Sequence, residues 1–374
     1  VQILVDRNIP DAERAFGPFG TVHLVDGRSI THNDLTGIDA LVVRSVTRVD
    51  RELLLNTPVR FVGTATIGVD HLDIPAIVSL GIEWSSAPGS NARSVMEYVV
   101  AGLLELRALG LTNLRAARLG VIGAGAVGSL VVEAGRALGM EVVVRDPPRE
   151  RREPAFRSAS LEEVCDVDIL TLHVPLTLNE PDATYHLVDA AFLERLRTGA
   201  VILNTSRGPV VSSSALLDAI ESGRVGTAVL DVWEGEPAIP TALIERTTIA
   251  TPHIAGYAHD AKVRATWMLA RAMSQHAGIP VDAAPSLPSA GTFPLPIADD
   301  PFDALTGAVR AAYDIRTDAA ALRALLSLDT PARRSGFDHL RRHYPARREF
   351  PAWSVSGADQ RARPLLQALG FVLE

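Results

Sequence analysis

The chain has 374 residues, 47% hydrophobic and 21% charged, with a net charge of −8, an ordinary balance for a globular protein of two or three domains. That charge weighs against a nucleic-acid partner, which needs a basic face. An anionic small substrate stays open, because local arginines can build a positive pocket in an acidic protein.

Lys262 is the only lysine, so phosphates fall to arginines and backbone N–H groups. The single cysteine, Cys165, excludes an intrachain disulfide and points to a reducing, cytoplasmic setting. Glu162, Glu163, Asp166 and Asp168 surround it in sequence and disfavour a thiolate nucleophile. The opening VQILVD reads as a strand and not as a signal peptide. The long apolar stretch SVMEYVVAGLLELRAL is cut by Glu97 and Glu105, so it predicts a core helix and no membrane span.

In chain order, VQILVD, TVHLV, ALVVRS, RFVGTAT and IEWSSA predict strands, and DHLDIPAIVSLG predicts a helix. Such alternation implies a parallel α/β sheet. A long helix follows from about Asn91 to Leu109. A second alternating set has strands in RLGVIG, EVVVRD, DILTLHVP, AVILNTS and TAVLDV, with helices such as AVGSLVVEAGRALG and SALLDAIESG. The helix HDAKVRATWMLARAMSQHAG then returns the chain to the first set. From Ile279, IPVDAAPSLPSAGTFPLPIADDP reads as a proline-rich linker. The tail mixes helices (DALTGAVRAAYDI, ADQRARPLLQALG) with short strands (AWSVSG, FVLE). The expected fold is α/β, with two Rossmann-like or flavodoxin-like doubly wound domains, a cleft between them, and a small α+β C-terminal domain. Expected boundaries are 1–92 with 257–280 for a discontinuous substrate domain, 93–256 for a nucleotide domain, and 281–374 for the tail.

Gly123, Gly125 and Gly128 form a G-x-G-x-x-G pattern between a predicted strand and helix, and Asp146 ends the next strand 18 residues after Gly128. In that context the pattern binds a dinucleotide. Gly123 allows the turn, Gly125 admits the pyrophosphate, and Gly128 lets helix and strand pack. Ala126 and Val127 open the helix whose N-terminus receives the phosphates. Asp146 suits ribose hydroxyls and repels a 2′-phosphate, which favours NAD over NADP. Arg145, Arg149, Arg151 and Arg152 compete with that reading but stand behind Asp146.

Three further stretches carry polar groups at strand ends in the second set. NTSRGPVV carries Arg207, LDVWEGEP carries Asp231, Glu234 and Glu236, and TPHIAGY carries His253. Ligands of open α/β sheets bind beyond the carboxyl ends of the strands. His71 with Asp70 and Asp73 has the composition of a metal site, but GVDHLD opens a helix, where Asp caps, so no metal is expected.

The order of glycine loop, RGPVV, LDVWEGEP and TPHIAG resembles the D-2-hydroxyacid dehydrogenase family over about residues 1–280. Finer stretches (VRSVT, FVGTAT with GVDH, SSAPG with NA, RDPPR, TPHIAGY), together with the tail, are similar along the whole chain to one branch of that family, which acts on a small phosphorylated 2-hydroxy acid. The resemblance implies that Arg207 holds the substrate carboxylate. His253 takes the hydroxyl proton while hydride leaves the same carbon, and Glu236 orients the imidazole. It further implies substrate contacts for Ser45, Thr66 and Tyr257, and a nicotinamide side lined by Thr205, Ser206, Asp231 and Gly256. Val174 replaces a common polar residue and leaves its cofactor contact to backbone. Ser212 stands where the family commonly has Asp, as a helix N-cap. For the phosphate, Arg44 is the first candidate and Arg93 the second, with Arg347 and Arg348 of the tail third. The tail is expected to form a homodimer. The rivals are another 2-hydroxyacid dehydrogenase, with a substrate one carbon shorter, and an NAD-sensing binding protein without turnover.

Overall fold

A computed structural model of the chain describes every residue except Glu180 and Pro296. Its contacts divide into two units, residues 1–91 with 258–287 and residues 92–257 with 288–374.

The first unit holds a parallel sheet in the order β2-β1-β3-β4-β5. Its strands are β1 (Gln2–Asp6), β2 (Thr21–Val25), β3 (Ala40–Val43), β4 (Phe61–Thr64) and β5 (Glu83–Ser85). β1 and β3 read as unbroken apolar runs because parallel strands bury both faces. Successive side chains alternate between those faces. Ile3, Val5 and Val42 pack with Phe16 and with Trp267 of the His259–Ala277 helix. Leu4, Leu41 and Val43 pack with Leu54 and Ile77 on the other side. The expected DHLDIPAIVSLG helix is shorter, Ile74–Ser79, because Asp73 accepts the Ala76 N–H at 3.0 Å and caps it there.

The second unit holds, among the described residues, a parallel sheet in the order β11-β10-β9-β8-β6-β7. Its strands are β6 (Arg118–Ile122), β7 (Glu141–Arg145), β8 (Ile169–Leu172), β9 (Ala200–Asn204), β10 (Val225–Leu230) and β11 (Ile249–Ala250). β10 starts two residues before its expected run, across an irregularity between Val225 and Thr227. β11 was not expected; two residues carry no readable period. The helix Ala92–Ala108 buries nearly its whole circumference. Its two glutamates survive there because each has partners. Glu105 accepts from Arg310 Nε at 2.6 Å and Nη2 at 2.7 Å. Glu97 accepts the Phe350 N–H at 2.8 Å, and burial next to Glu349 pushes its carboxyl well above the usual range, towards the neutral form.

The tail forms a second, smaller sheet, β12 (Gly291–Pro294), β13 (Trp353–Ser356) and β14 (Val372–Leu373), all parallel. β12 lies inside the stretch expected to be a linker, of which Pro296 falls outside the described residues. Composition pointed to a linker because the prolines outweigh Phe293. That ring decides the outcome: it packs 5.8 Å from Trp353 and 6.3 Å from Phe371, and an edge strand tolerates Pro294. Helices Ile315–Ala324 and Thr330–Arg342 lie where no element was assigned, and ADQRARPLLQALG is helical only over Arg363–Ala368. Leu305, Val309, Phe350 and Leu366 join the cluster of Leu103, Leu119 and Val201. Leu322 and Phe337 join Leu170, Ile202 and Leu230 on the other face. The tail therefore shares its core with both faces of the six-stranded sheet.

Phe350 is fully buried and stacked on Phe371 at 4.6 Å. Phe350→Ala is expected to cost about 3–5 kcal/mol of unfolding free energy, measured by urea denaturation of the whole chain. A loss under about 1 kcal/mol would mean that the tail does not share the core.

Candidate active site

Because the strands of the second unit run parallel, their carboxyl ends share one edge. That edge carries Gly123 after β6, Asp146 after β7, His173 and Val174 after β8, Thr205 to Arg207 after β9, Asp231 after β10, and Thr251 to His253 after β11. Every polar stretch that the sequence reading placed at a strand end of the second set lies here.

The glycine loop fits a dinucleotide. Gly123 has φ 89°, and a Cβ there would lie 2.5 Å from the His173 carbonyl and 2.9 Å from Val174. Gly128 meets the Gly123 carbonyl so closely that a Cβ would sit 1.8 Å from it. At Gly125 nothing lies within 4 Å of the Cβ position; the open space is where a pyrophosphate could approach. Gly125 starts the Ala126–Ala137 helix without a side-chain cap, so the amides around Ala126 and Val127 are available to phosphate oxygens. Asp146 accepts the Ala124 N–H and the Arg149 N–H, each at 2.8 Å. It links the loop to the Pro147–Arg152 helix, which it caps. Arg149, one of the competing arginines, donates to the Ala124 carbonyl at 2.9 Å and to Glu153 at 2.8 Å.

His253 Nδ1 lies 2.8 Å from Glu236 Oε2. The other oxygen of Glu236 accepts the Trp233 N–H at 2.8 Å. Burial opposes the charge of Glu236, but His253, Arg341 and the Trp233 N–H outweigh it and hold its pKa below the usual range. An ionised carboxylate only accepts, so Nδ1 carries the proton and Nε2 of a neutral imidazole keeps its lone pair. His253 has φ 58°, a left-handed backbone that a non-glycine residue holds only when its surroundings impose it. Asp231 imposes it. Buried, it accepts the Thr251 hydroxyl at 2.6 Å and the N–H groups of Ile254 and Ala255 at 2.8 Å.

Arg207 sits on the turn after β9. Asn204 folds that turn by accepting the Ser206 N–H at 3.0 Å and its hydroxyl at 2.7 Å, and by donating to the Arg207 carbonyl at 3.0 Å. Gly208 brings it against the LDVWEGEP loop, since a Cβ there would be 2.1 Å from the Trp233 backbone. Glu234 is structural: it accepts the Ser213 N–H at 2.6 Å and pairs with His186 at 2.6 Å. Ser212 caps the following helix through the Ala215 N–H. Thr205 lies 3.3 Å from His173 Nδ1, whose Nε2 is 3.0 Å from Thr171. Burial lowers the His173 pKa to about 3, so this second histidine is neutral. It escaped the sequence reading, although its place at the end of DILTLH was a usable signal. Gly256 and Tyr257 continue the His253 loop, and the Tyr257 ring meets Tyr344 edge-on at 5.8 Å.

Arg44, Thr66, Arg93, Arg347 and Arg348 have protein partners. In the first unit, Arg44 Nε donates to buried Asp6 at 2.9 Å; Ser45 beside it is exposed. Thr66 donates to the Gly68 carbonyl at 2.8 Å and shares a bond with Thr64 at 2.7 Å, and Thr64 lies 2.9 Å from His71. In the second unit, Arg93 donates to the Leu369 carbonyl at 3.2 Å and Arg348 to the Pro288 carbonyl at 2.8 Å. Arg347 is buried on the carbonyls of Ser94 and Ala255, at 2.8 and 2.7 Å. Cys165 is buried, and burial raises its thiol pKa, which suppresses the thiolate. Among the described residues no three His, Cys, Asp or Glu side chains are grouped to hold a metal, and no helix is long and apolar enough to cross a membrane.

Residues 92–255 match the model of the D-isomer specific 2-hydroxyacid dehydrogenase NAD binding domain, and residues 298–370 match a domain of unknown function. The erythronate-4-phosphate dehydrogenase of Salinibacter ruber is 47% identical over 96% of this chain and 94% of its own length. That of Pseudomonas savastanoi pv. phaseolicola is 43% identical over the whole of both. A crystal structure of a Thermus thermophilus protein aligns at 26% identity and TM-score 0.62, covering 72% of this chain and 94% of that one. The Aquifex aeolicus D-lactate dehydrogenase, solved with NAD and lactic acid, shares the fold at 23% identity and TM-score 0.61, over 74% of this chain and 96% of that one. The chain belongs to the family of erythronate-4-phosphate dehydrogenases, within the D-isomer specific 2-hydroxyacid dehydrogenases.

Proposed function

We propose that the chain oxidises 4-phospho-D-erythronate to (R)-3-hydroxy-2-oxo-4-phosphooxybutanoate with NAD, a step of pyridoxal 5′-phosphate synthesis in the cytoplasm. The observation that carries the chemistry is the Glu236–His253 pair at 2.8 Å, held on the strand edge that also bears the glycine loop and Arg207. The substrate follows from the names of the full-length relatives.

NAD, when bound, supplies the hydride acceptor. Neutral His253 takes the proton of the 2-hydroxyl on Nε2 as the hydride leaves C2 and the C2–O bond becomes a carbonyl. The proton ends on an imidazolium facing Glu236, which stabilises the charge as it forms. Arg207 holds the carboxylate, for which a planar guanidinium is a two-pronged match. Gly123, Gly125, Ala126, Val127 and Gly128 hold the pyrophosphate, and Asp146 the ribose. Val174, Thr205, Ser206, Asp231 and Gly256 border the nicotinamide. Ser45, Thr66 and Tyr257 touch substrate, and Arg44 and Arg93 are the phosphate candidates. Residues 1–92 with 257–280 form the substrate domain, 93–256 the NAD domain, and 281–374 a tail that pairs two chains into a homodimer.

Three outcomes are expected. His253→Asn should lower kcat by roughly 10²–10⁴-fold, and stopped-flow NADH formation giving less than threefold would remove His253 from the proton transfer. The forward rate should climb with pH, because the reaction needs a neutral base, while Glu236 stays ionised because its pKa is lowered; a flat profile from about pH 6 to 9, with chemistry rate-limiting, would contradict a neutral base. Asp146→Ala should raise the NADP-to-NAD ratio of kcat/KM by about tenfold or more, since the carboxylate repels a 2′-phosphate. An unchanged ratio would place cofactor choice elsewhere.

A further inference from the structure

His173 stands between the glycine loop and the turn of Arg207. In the register of β8 with β9, Leu172 lies opposite Asn204, so His173 and Thr205 are the first residues beyond the paired ends. The His173 N–H donates to the Ile122 carbonyl at 2.8 Å, and its own carbonyl would meet a Cβ on Gly123 at 2.5 Å. Its backbone thus packs on the glycine loop, while its ring reaches Thr205, two residues before Arg207. Nδ1 lies 3.3 Å from the Thr205 hydroxyl, and Nε2 lies 3.0 Å from that of Thr171. Among the described residues neither hydroxyl makes another hydrogen bond.

A neutral imidazole carries one N–H and one lone pair, so these two bonds must run in one direction. Thr171 decides which. It is fully buried, and its hydroxyl proton has only Nε2 to go to. Were Nε2 protonated, that proton would be stranded in the core, and a buried donor without an acceptor loses its hydration with nothing in return. Thr205 is only half-buried, so its proton can point out of the protein. The favoured order is therefore Thr171 O–H to Nε2, then Nδ1–H to the Thr205 oxygen. Burial supports it by keeping the ring neutral.

We propose that His173 is a positioning residue for the dinucleotide: as the Nδ1–H tautomer it occupies a lone pair of Thr205 and commits the Thr205 hydroxyl to donate to an acceptor oxygen of the bound cofactor. This rests on Thr205 bordering the nicotinamide, whose carboxamide carries such an oxygen. The opposite order would turn the Thr205 proton inward and leave only lone pairs for the ligand, which suits an N–H group instead. The relay thus fixes, before any cofactor arrives, which half of an amide Thr205 recognises.

The test uses the full-length chain and needs no turnover. Histidine ring nitrogens of the 15N-labelled wild type are read by NMR without cofactor, the His173 signals being those lost in His173→Asn. They should show a protonated Nδ1 and a bare Nε2; a protonated Nε2 or a charged ring would overturn the proposal. NADH affinity is then measured by fluorescence. Thr205→Val should weaken it roughly three- to tenfold, and Thr205→Ser should restore it. His173→Leu should weaken it to the same extent, and the double variant His173→Leu with Thr205→Val should be no worse than Thr205→Val alone. His173→Asn, whose amide N–H can take the place of Nδ1–H, should recover most of the loss. Additive losses, or an asparagine variant no better than leucine, would count against the relay. Should the leucine variant fail to fold, the wild-type ring signals and His173→Asn still decide. An unchanged affinity in Thr205→Val would overturn the donor role alone, whereas a wild type that binds no NADH would overturn it together with the cofactor reading.

Discussion

The carboxylate of Asp231 is the fixed point of the site. Buried at the end of β10, it gathers the Thr251 hydroxyl and two consecutive backbone N–H groups, Ile254 and Ala255. Thr251 spends its proton on Asp231, so the Tyr98 hydroxyl, 2.6 Å away, must donate to Thr251. Burial raises the pKa of Tyr98 far above its ordinary value and keeps that proton in place. The chain Tyr98 to Thr251 to Asp231 thus ties the centre of the long core helix to the loop that carries His253. Each link polarises the next in a dry setting. Stripping the carboxylate would leave three buried donors without an acceptor, at about 1–3 kcal/mol apiece. This is enough to hold His253 in a left-handed backbone that costs on the order of 1–3 kcal/mol.

With the loop fixed, the remaining geometry is set by how closely backbones approach. Gly208 allows the Arg207 turn to touch the Trp233 backbone, and Gly128 allows the cofactor helix to touch the Gly123 carbonyl. Neither contact has room for a Cβ. Gly125, by contrast, faces open space. The same residue type thus serves two ends: at two positions it closes the protein on itself, and at the third it leaves a surface of bare amides for an anion. Glu236 joins the two halves of this arrangement. One oxygen fixes its own loop at Trp233 and the other orients His253, so the imidazole can rotate only at the expense of the loop.

The sheets were legible because parallel strands buried on both faces, such as ALVV and AVILN, announce themselves as unbroken apolar runs. The candidate site was legible for a related reason: parallel strands deliver their carboxyl ends to one edge, so short polar stretches after each run had to meet. What the sequence hid was long-range. A two-residue strand such as β11 has no period, and Phe293 looks like any residue in a proline-rich stretch until Trp353 and Phe371 close on it. The ion pair of Arg44 with Asp6 and the burial of Arg347 also needed coordinates, since a sequence gives an arginine its charge but not its partner. His173 was overlooked for the opposite reason. It lay in plain sight at a strand end, but burial strips it of charge and leaves it a neutral link between Thr171 and Thr205.

The near-absence of lysine bears on the tail. Arg347 is buried over the Tyr313 ring at 4.2 Å, and burial disfavours its charge, yet Tyr313, Tyr344, Glu97 and Asp318 raise its pKa further. A lysine in such a place readily gives up its proton, whereas a guanidinium keeps its charge and can donate to two carbonyls at once. That permanence lets the tail act at a distance. Arg347 holds the Ala255 carbonyl from one side, while Asp231 holds the Ala255 N–H from the other. The peptide groups flanking Ala255, two residues beyond His253, are therefore gripped by the Rossmann sheet and by the tail together. A segment that only paired chains would have no need to bury a charged side chain against the loop that carries His253. Its placement there makes the tail part of the scaffold that fixes the loop carrying His253.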